Sequence, residues 1–404
     1  MWFAGIDWAD THHDILVLDE RGQKLTSFRV MHTSKGLDEL TNRLTAICGP
    51  EHKAELACIV ETTRGLLITY LLEAGFTVYP VNPKTVDRKR SASGAKTDQI
   101  DAYLLAKHGR SELADLRRLE PDSPLIAELK ALTRDQDGLI QMQTRLVNQL
   151  TACLKAYYPV ALTLFTKVQQ PSTLHFLLAY PTPQEAMNAS CEAIAEVLKS
   201  AGHPTPKKTA ASIVNQVHQP QLAADDVTCR TKSRLLIALI RQLQPVMEAI
   251  AAYDQEIERL FLMHADSHLF LKLPRAGKRI APRLLAEIGD DRSRYQGAAS
   301  LQALAGTSPV PYESGNYAKP HRRYACIKPL RNVLQQFAWQ SIQTETWASE
   351  YYERKRREGK SHSVAVRALA NVWVRILFAL WLKREAYQPA IFEHARHQHA
   401  PRAA

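Results

Sequence analysis

The runs WFAGIDWA at 2–9, HHDILVLDE at 12–20 and KLTSFRVMH at 24–32 are short, β-rich and separated by tight polar turns, the second at Arg21-Gly22. They predict three strands in a meander. Outward from there, Ser34 reads as the N-cap of a helix carrying Leu37, Leu40, Leu44 and Ile47 at spacings of three and four. The apolar run LACIV at 56–60 has the pattern of a buried parallel strand ending at Glu61. Residues 65–74 read as a helix capped by Gly75, 77–81 as a further strand, and 97–108 as a helix. The order βββαβαβα is that of a ribonuclease H-like domain, a three-stranded antiparallel part extended by parallel strands and covered by helices.

From Pro124 the period changes. Leu125, Leu132, Leu139 and Leu146 recur every seven residues, with Leu129 and Leu150 beside them and Gln136 and Gln143 diluting the second seam. After a proline-punctuated stretch, Leu236, Leu239, Leu243, Val246, Ile250, Tyr253, Ile257 and Leu260 alternate steps of three and four, with Pro245 expected to kink that helix or start a new one. The expected fold class is therefore α/β plus all-α. Residues 1–120 form the ribonuclease H-like (RuvC-like) domain, and 121–265 form a helical coiled-coil spacer whose long helices pair with each other or with another subunit. Residues 266–385 form a C-terminal helical domain, and 386–404 a flexible tail. Within 271–306 the turn from Pro274 to Gly277 opens a helix that Gly289 stops, and a second helix runs to about Leu304. This reads as a helix-hairpin-helix-like element, whose amides would hold a phosphate. A plain helical pair reads the same.

The net charge of +11 is unevenly placed: residues 271–404 hold 23 Lys+Arg against 10 Asp+Glu, which leaves the rest close to neutral. Such polarity suits a polyanion at the back end, and a solvated surface is the plain alternative. Six cysteines with no C-x-x-C pair exclude a zinc knuckle or a disulfide framework and read as reduced, buried residues. No uninterrupted apolar run reaches membrane-spanning length, so a cytoplasmic protein without a membrane partner is expected.

Four carboxylates stand at element ends: Asp7 on the first strand, Glu61 after the first parallel strand, and Asp98 with Asp101 at the start of the helix that follows. In this topology the first strand lies beside the fourth, so Asp7 and Glu61 point into one cleft, and the other two are one helical turn apart. Four such acids repel unless cations neutralise them, and two Mg²⁺ ions, with Mn²⁺ as a substitute, suit oxygen donors and in-line phosphoryl displacement. Each acid also has a duller reading: Asp98 as an N-cap with Asp101 at N3, Asp7 as a strand-end residue, Glu61 as the start of a turn. Asp10, Asp14 and Asp87 lack such placement and are set aside. The histidines of the tail (His394, His397, His399) read as a frayed terminus before they read as metal ligands.

G-I-D at 5–7, V-E-T-T at 60–63, V-N-P at 81–83 and K-T-D-x-x-D-A at 96–102 resemble the N-terminal domain of the DEDD transposases of bacterial insertion sequences, insertion sequence family 110, which includes the Piv invertases. A-E-I-G at 286–289, L-A-G-T at 304–307 and P-Y-E-S-G at 311–315 extend the resemblance over about three quarters of the chain. The family's acids fall on Asp7, Glu61, Asp98 and Asp101. The resemblance also singles out Ser314, otherwise a turn residue, as the nucleophile that would form a phosphoserine with DNA; Ser308 is the rival. It implies DNA partners (element ends and target), a structured guide RNA, and a dimer or tetramer. His321, Arg322, Arg323 and Lys328, with Lys319 nearby, would steady phosphate, as would Arg275, Lys278 and Arg279 at the hairpin and the block Arg354, Lys355, Arg356, Arg357. One departure is plain: where the family hairpin reads P-G-x-G, this chain has Pro274-Arg275-Ala276-Gly277.

The leading expectation is a recombinase using a Mg²⁺-dependent acid site and a covalent serine. The alternative is a RuvC-like junction-resolving nuclease, which needs the acids and not Ser314. An actin-like kinase shares G-I-D but needs glycine-rich phosphate loops that this chain lacks. A catalytically silent nucleic-acid-binding module is the last reading.

Overall fold

The computed structural model describes residues 1–63, 65–82, 97–314, 317–318 and 320–390, with backbone alone at 314, 317 and 318. Pro83 of V-N-P, Asp87, Lys96, Lys319 and the tail histidines lie outside the described residues. Contacts divide the chain into two units, Met1–Pro121 and Asp122–Ala404.

The first unit holds β1 (Trp2–Trp8), β2 (His12–Leu18), β3 (Lys24–Met31), β4 (Leu56–Val60) and β5 (Thr77–Pro80) in one mixed sheet of order β3-β2-β1-β4-β5. The meander is antiparallel, while β4 joins β1 and β5 joins β4 in parallel. This is the arrangement expected of a ribonuclease H-like domain. Helices α1 (Ser34–Cys48) and α2 (Leu66–Glu73) cover one face. The cap of α1 is Thr33, whose side chain accepts from the Gly36 amide, and Ser34 is already helical.

The other face carries α3 (Asp98–Glu112). Residues of β1, β2 and β4 alternate between the faces: Ala4, Ile6, Ile15, Val17, Cys58 and Val60 pack toward α1 and α2, while Phe3, Leu16, Leu18, Ala57 and Ile59 pack toward α3. Gly5 lets α3 lie directly on β1, because a Cβ there would sit 1.9 Å from the Ala102 carbonyl oxygen and 2.4 Å from the Ala106 nitrogen. The helix answers with alanines at both positions, each buried.

In the second unit, α4 (Pro124–Tyr157) is followed by α5 (Ala161–Leu164), α6 (Pro171–Ala179), α7 (Pro183–Asn188), α8 (Cys191–Ser200), α9 (Pro206–Val217) and α10 (Asp226–Met263). Then come α11 (Ser267–Leu271), α12 (Gly277–Ile288), α13 (Ala298–Leu304), the two-residue strands β6 (Glu313–Ser314) and β7 (Tyr317–Ala318), α14 (Lys328–Ser341), α15 (Thr346–Arg357) and α16 (His362–Lys383). The long helices α4 and α10 pack against each other. They run antiparallel: Gln136 donates to Asp254 at 2.8 Å near one end, and the Cys153 thiol meets the Lys232 carbonyl near the other. Pro245 neither ends α10 nor starts a new helix; the helix is one element across it. In the first half of α4, Leu129 and Gln136 of the expected second seam are buried, but Ile126 and Thr133 take the place beside them that the leucine row was expected to fill, and Leu125, Leu132 and Leu139 are half-buried.

Two apolar cores anchor this pair. One joins Ile126 and Leu129 of α4 and Ile257, Leu260 and Phe261 of α10 to the C-terminal helices; the other joins Leu146–Tyr157 and Leu236–Leu243 to the short helices between. In the first core Trp373 packs against Phe337, Trp347 and Tyr387 and donates to Ser341. Two helices, α10 and α16, are long and apolar enough to cross a membrane by length and composition, although neither is an uninterrupted apolar run. One side of each, including Leu243 and Leu260 of α10 and Leu369 and Trp381 of α16, is buried in these cores, while Leu235, Leu262, Met263 and Leu382 are exposed. At the turn before α12, Arg275 takes the left-handed conformation (φ 57°) and donates to Gln343 at 2.6 Å. A side chain there costs about 1 kcal/mol, which explains why a hairpin of this shape favours glycine.

Candidate active site

The same alternation that buries Phe3, Leu16 and Ile59 under α3 brings out acids at the end of the sheet. Asp7 is two residues past Gly5 on β1 and lies directly opposite Asp14 on β2. Glu61 continues β4 with the parity of Ala57 and Ile59. The helix supplies the rest: Thr97 caps α3 by accepting from the Ile100 amide, with Asp98 and Asp101 in its first turn. Asp98 is therefore not the cap. Thr97 does that work, and both acids gain from the partial positive charge of the helix start.

Asp7 records the result. Its pKa is pushed up to about 6 by burial first, and then by the charges of Asp101, Asp98, Glu61 and Asp14. The other three sequence-predicted acids thus each act on Asp7, and so does Asp14, which the sequence reading set aside. Asp14 is buried and held by Arg29, its cross-strand partner on β3, through Nε at 3.1 Å and Nη2 at 2.7 Å. The same Nη2 reaches Asp98 at 3.2 Å. His12 Nε2 lies 3.7 Å from Asp14 and 3.6 Å from Asp98, and donor atoms of these three residues lie within 4.8 Å of one another. On the opposite face His13 is fully buried, contacts His32 at 2.9 Å, and is held neutral, its pKa pushed down to about 4 by burial and by His32 and His12.

This donor set fits a hard divalent cation. The oxygens are carboxylate, more acids converge than one arginine neutralises, and their charges add to burial in disfavouring the ionised form of Asp7.

Ser314 belongs to the second unit. It closes β6 and pairs with Tyr317 of β7, and the ladder continues at Val310 and His321. Ser308 sits on the segment leading into it, half-buried, its amide directed to the Gln302 carbonyl. The predicted basic residues divide. Lys278 and Arg279 are tied to Glu258 and Asp254, Arg275 to Gln343, and Arg354 and Lys355 to Glu358. Arg356 donates to the Lys360 carbonyl, and Arg357 and Lys328 are exposed. Arg322 stacks on Tyr324, His321 packs edge-on against Tyr312, and among the described residues neither Arg322 nor Arg323 pairs with a carboxylate.

Comparison with known proteins decides the family. A transposase model, DEDD_Tnp_IS110, matches residues 4–159, and the IS116/IS110/IS902 transposase family model matches 267–353. The IS117 mini-circle protein of Streptomyces coelicolor is 30% identical over 377 residues, 91% of either chain. The chain belongs to the IS110 family of transposases. It is also similar to the 42 kDa protein of insertion element IS900 from Mycobacterium paratuberculosis, 28% identical over 96% of this chain and 97% of the other. The 44.8 kDa protein of IS116 from Streptomyces clavuligerus is 26% identical over 96% of both. The transposase is thus a DNA-acting enzyme, matched at both ends of the chain. What sequence reading missed in it, Asp14, Arg29 and His12, follows from hairpin register: once 9–11 is a turn, Asp14 must face Asp7.

Proposed function

We propose that this transposase cleaves and rejoins DNA strands at the ends of its insertion element, with Asp7, Glu61, Asp98 and Asp101 holding two Mg²⁺ ions and Ser314 as nucleophile. The observation that carries this reading is the convergence of acids at one end of the sheet, Asp7 opposite Asp14 on adjacent strands, Glu61 continuing the strand beside β1, and Asp98 and Asp101 in the first turn of the helix that packs on it, an arrangement whose mutual repulsion a divalent cation would relieve. When bound, the ions would stabilise charge on the attacking and departing oxygens of the phosphodiester. The Ser314 Oγ–phosphorus bond forms as a strand P–O bond breaks, and the hydroxyl proton passes to the departing oxygen. In the reverse step a hydroxyl from a second strand attacks the phosphoserine and frees Ser314. The number of phosphodiester-type bonds is unchanged throughout, so strands are rejoined without an external energy source. Arg29 would orient Asp98 by gripping it together with Asp14.

The same reading assigns DNA or guide RNA to the basic residues of the second unit: Arg275, Lys278, Arg279, Lys319, His321, Arg322, Arg323, Lys328 and Arg354–Arg357. It takes the active unit to be a homo-oligomer, dimer or tetramer, and the guide to be a structured RNA of the element. Support for the RNA is the family alone.

The test is a denaturing gel of the full chain on nicked element-end DNA. Wild type and Ser308→Ala form a Mg²⁺-dependent covalent adduct that Mn²⁺ also supports, while Ser314→Ala and Asp101→Asn form none. Hydrolytic nicking that persists in Ser314→Ala with no adduct in any chain would replace the recombinase with a resolvase.

A further inference from the structure

Several arginines of the second unit are committed to acids: Arg134 to Glu287, Arg283 to Asp137, Arg292 to Asp266 and Arg294 to Asp122. Four are not. Among the described residues, Arg322, Arg323, Arg331 and Arg367 have no carboxylate partner, and the Nε of Arg323 is buried without any hydrogen bond.

The fold brings these four to one place. The backbones of Val310 and His321 exchange hydrogen bonds of 2.9 and 2.8 Å, closing the base of the β6–β7 hairpin just before Arg322 and Arg323. Arg331, in the first turns of α14, donates to the Cys326 sulfur at 3.7 Å. Cys326 lies against Gly306, where a Cβ would meet its sulfur at 2.7 Å. From the other side, Thr307 donates to Asn371 on α16 at 2.9 Å. Asn371 is one turn beyond Arg367, so the two share the helix face turned toward that segment. Burial and the charges of Arg322 and Arg331 hold Arg367 below its ordinary pKa, although nearby Tyr324 opposes this, so like charges are crowded here at a standing electrostatic cost.

We propose that Arg322, Arg323, Arg331 and Arg367 form a clamp for the DNA sugar-phosphate backbone at the base of the Ser314 hairpin. Planar guanidiniums without internal acids match phosphodiester oxygens, which supply the missing acceptors. The clamp rests on the strand-transfer reading of Ser314 and deepens it. Ser314 is four positions along the ladder from Val310, about 13 Å at the usual strand rise, so the arginines grip phosphates flanking the attacked one. This separates holding the strand from attacking it. Arg331 and Arg367 stand far from the hairpin in sequence, and no motif announces them.

The measurement is fluorescence anisotropy of the full chain with labelled duplex DNA across a salt series, with single-stranded RNA of the same sequence as a second arm. Arg331→Gln and Arg367→Gln each weaken DNA binding several-fold and reduce the slope of log K against log salt by about 1. Arg367→Lys, which keeps the charge and guards against misfolding, restores the slope, and Lys208→Gln on α9 changes nothing. Unchanged DNA slopes in both Gln variants, or losses confined to RNA, overturn the clamp. Reduced slopes in a wild-type background that forms no serine adduct would remove the nucleophile and leave the clamp standing. Unchanged slopes with a normal adduct would do the opposite.

Discussion

Asp7 and Gly5 carry the most testable chemistry at the scale of single residues. The folded pKa of Asp7, about 6, lies above its ordinary 3.8, so the fold disfavours its ionised form. Its contribution to stability is complete below about pH 3.8 and is lost as pH rises through about 6. Asp7→Asn cannot ionise. In chelator, this variant melts above wild type at pH 8 and converges with it below about pH 3.8, and with Mg²⁺ present it no longer cleaves strands; an equal offset at both pH values would show that charge is not the cause. Gly5→Ala drives a methyl into the Ala102 carbonyl, which belongs to helix backbone and cannot swing aside. The expected loss is about 2 kcal/mol or more, read by urea unfolding, with activity falling further because α3 carries Asp98 and Asp101. The four acids were legible in the sequence because each ends an element. Arg29 was not, since an arginine on an edge strand signals nothing until register puts it opposite Asp14.

Among the elements, α3 and α10 show what periodicity can and cannot decide. The start of α3 was read to within one residue, but the cap was not: Asp98 and Thr97 are both good caps, and only the Thr97–Ile100 hydrogen bond distinguishes them. The seam of α10 was legible at Leu236, Leu239, Leu243, Ile250, Ile257 and Leu260, which are buried, with Val246 and Tyr253 half-buried between them. Its Pro245 was not, because sequence alone weighs the missing N–H against nothing, whereas here α4 and two cores hold the helix together on both sides of the proline. Pro245→Ala restores a backbone donor to the Arg241 carbonyl and removes the ring clash, stabilising the chain by about 1–3 kcal/mol. Thermal unfolding followed by circular dichroism at 222 nm would read this as a higher midpoint, and a lowered midpoint would mean that the proline shapes packing. In α4 the leucine row misled by one position, with Ile126 and Thr133 buried in place of Leu125 and Leu132, whereas Gln136 keeps its seam position and is satisfied there by Asp254, which Arg279 also holds.

For the molecule as a whole, the two units have separate cores, so calorimetry should resolve two transitions. Mg²⁺ raises only the transition of the sheet unit, by about 2.7 kcal/mol at a hundredfold excess over Kd, and Asp7→Asn abolishes that shift. A shift of both, or of the helical one alone, would place the cation elsewhere. The order of the sheet was legible at this scale because strand alternation and turn residues agree, whereas the meeting of Arg367 with Arg322 depends on helix packing that no local pattern encodes. The antiparallel rods α4 and α10 have a further consequence. Each is seated in both cores, so their 34 and 38 residues act as a paired ruler of roughly 50–57 Å. Shortening one alone would pull its far end out of its socket. Insertions and deletions among relatives must therefore be compensated across the pair, turn for turn.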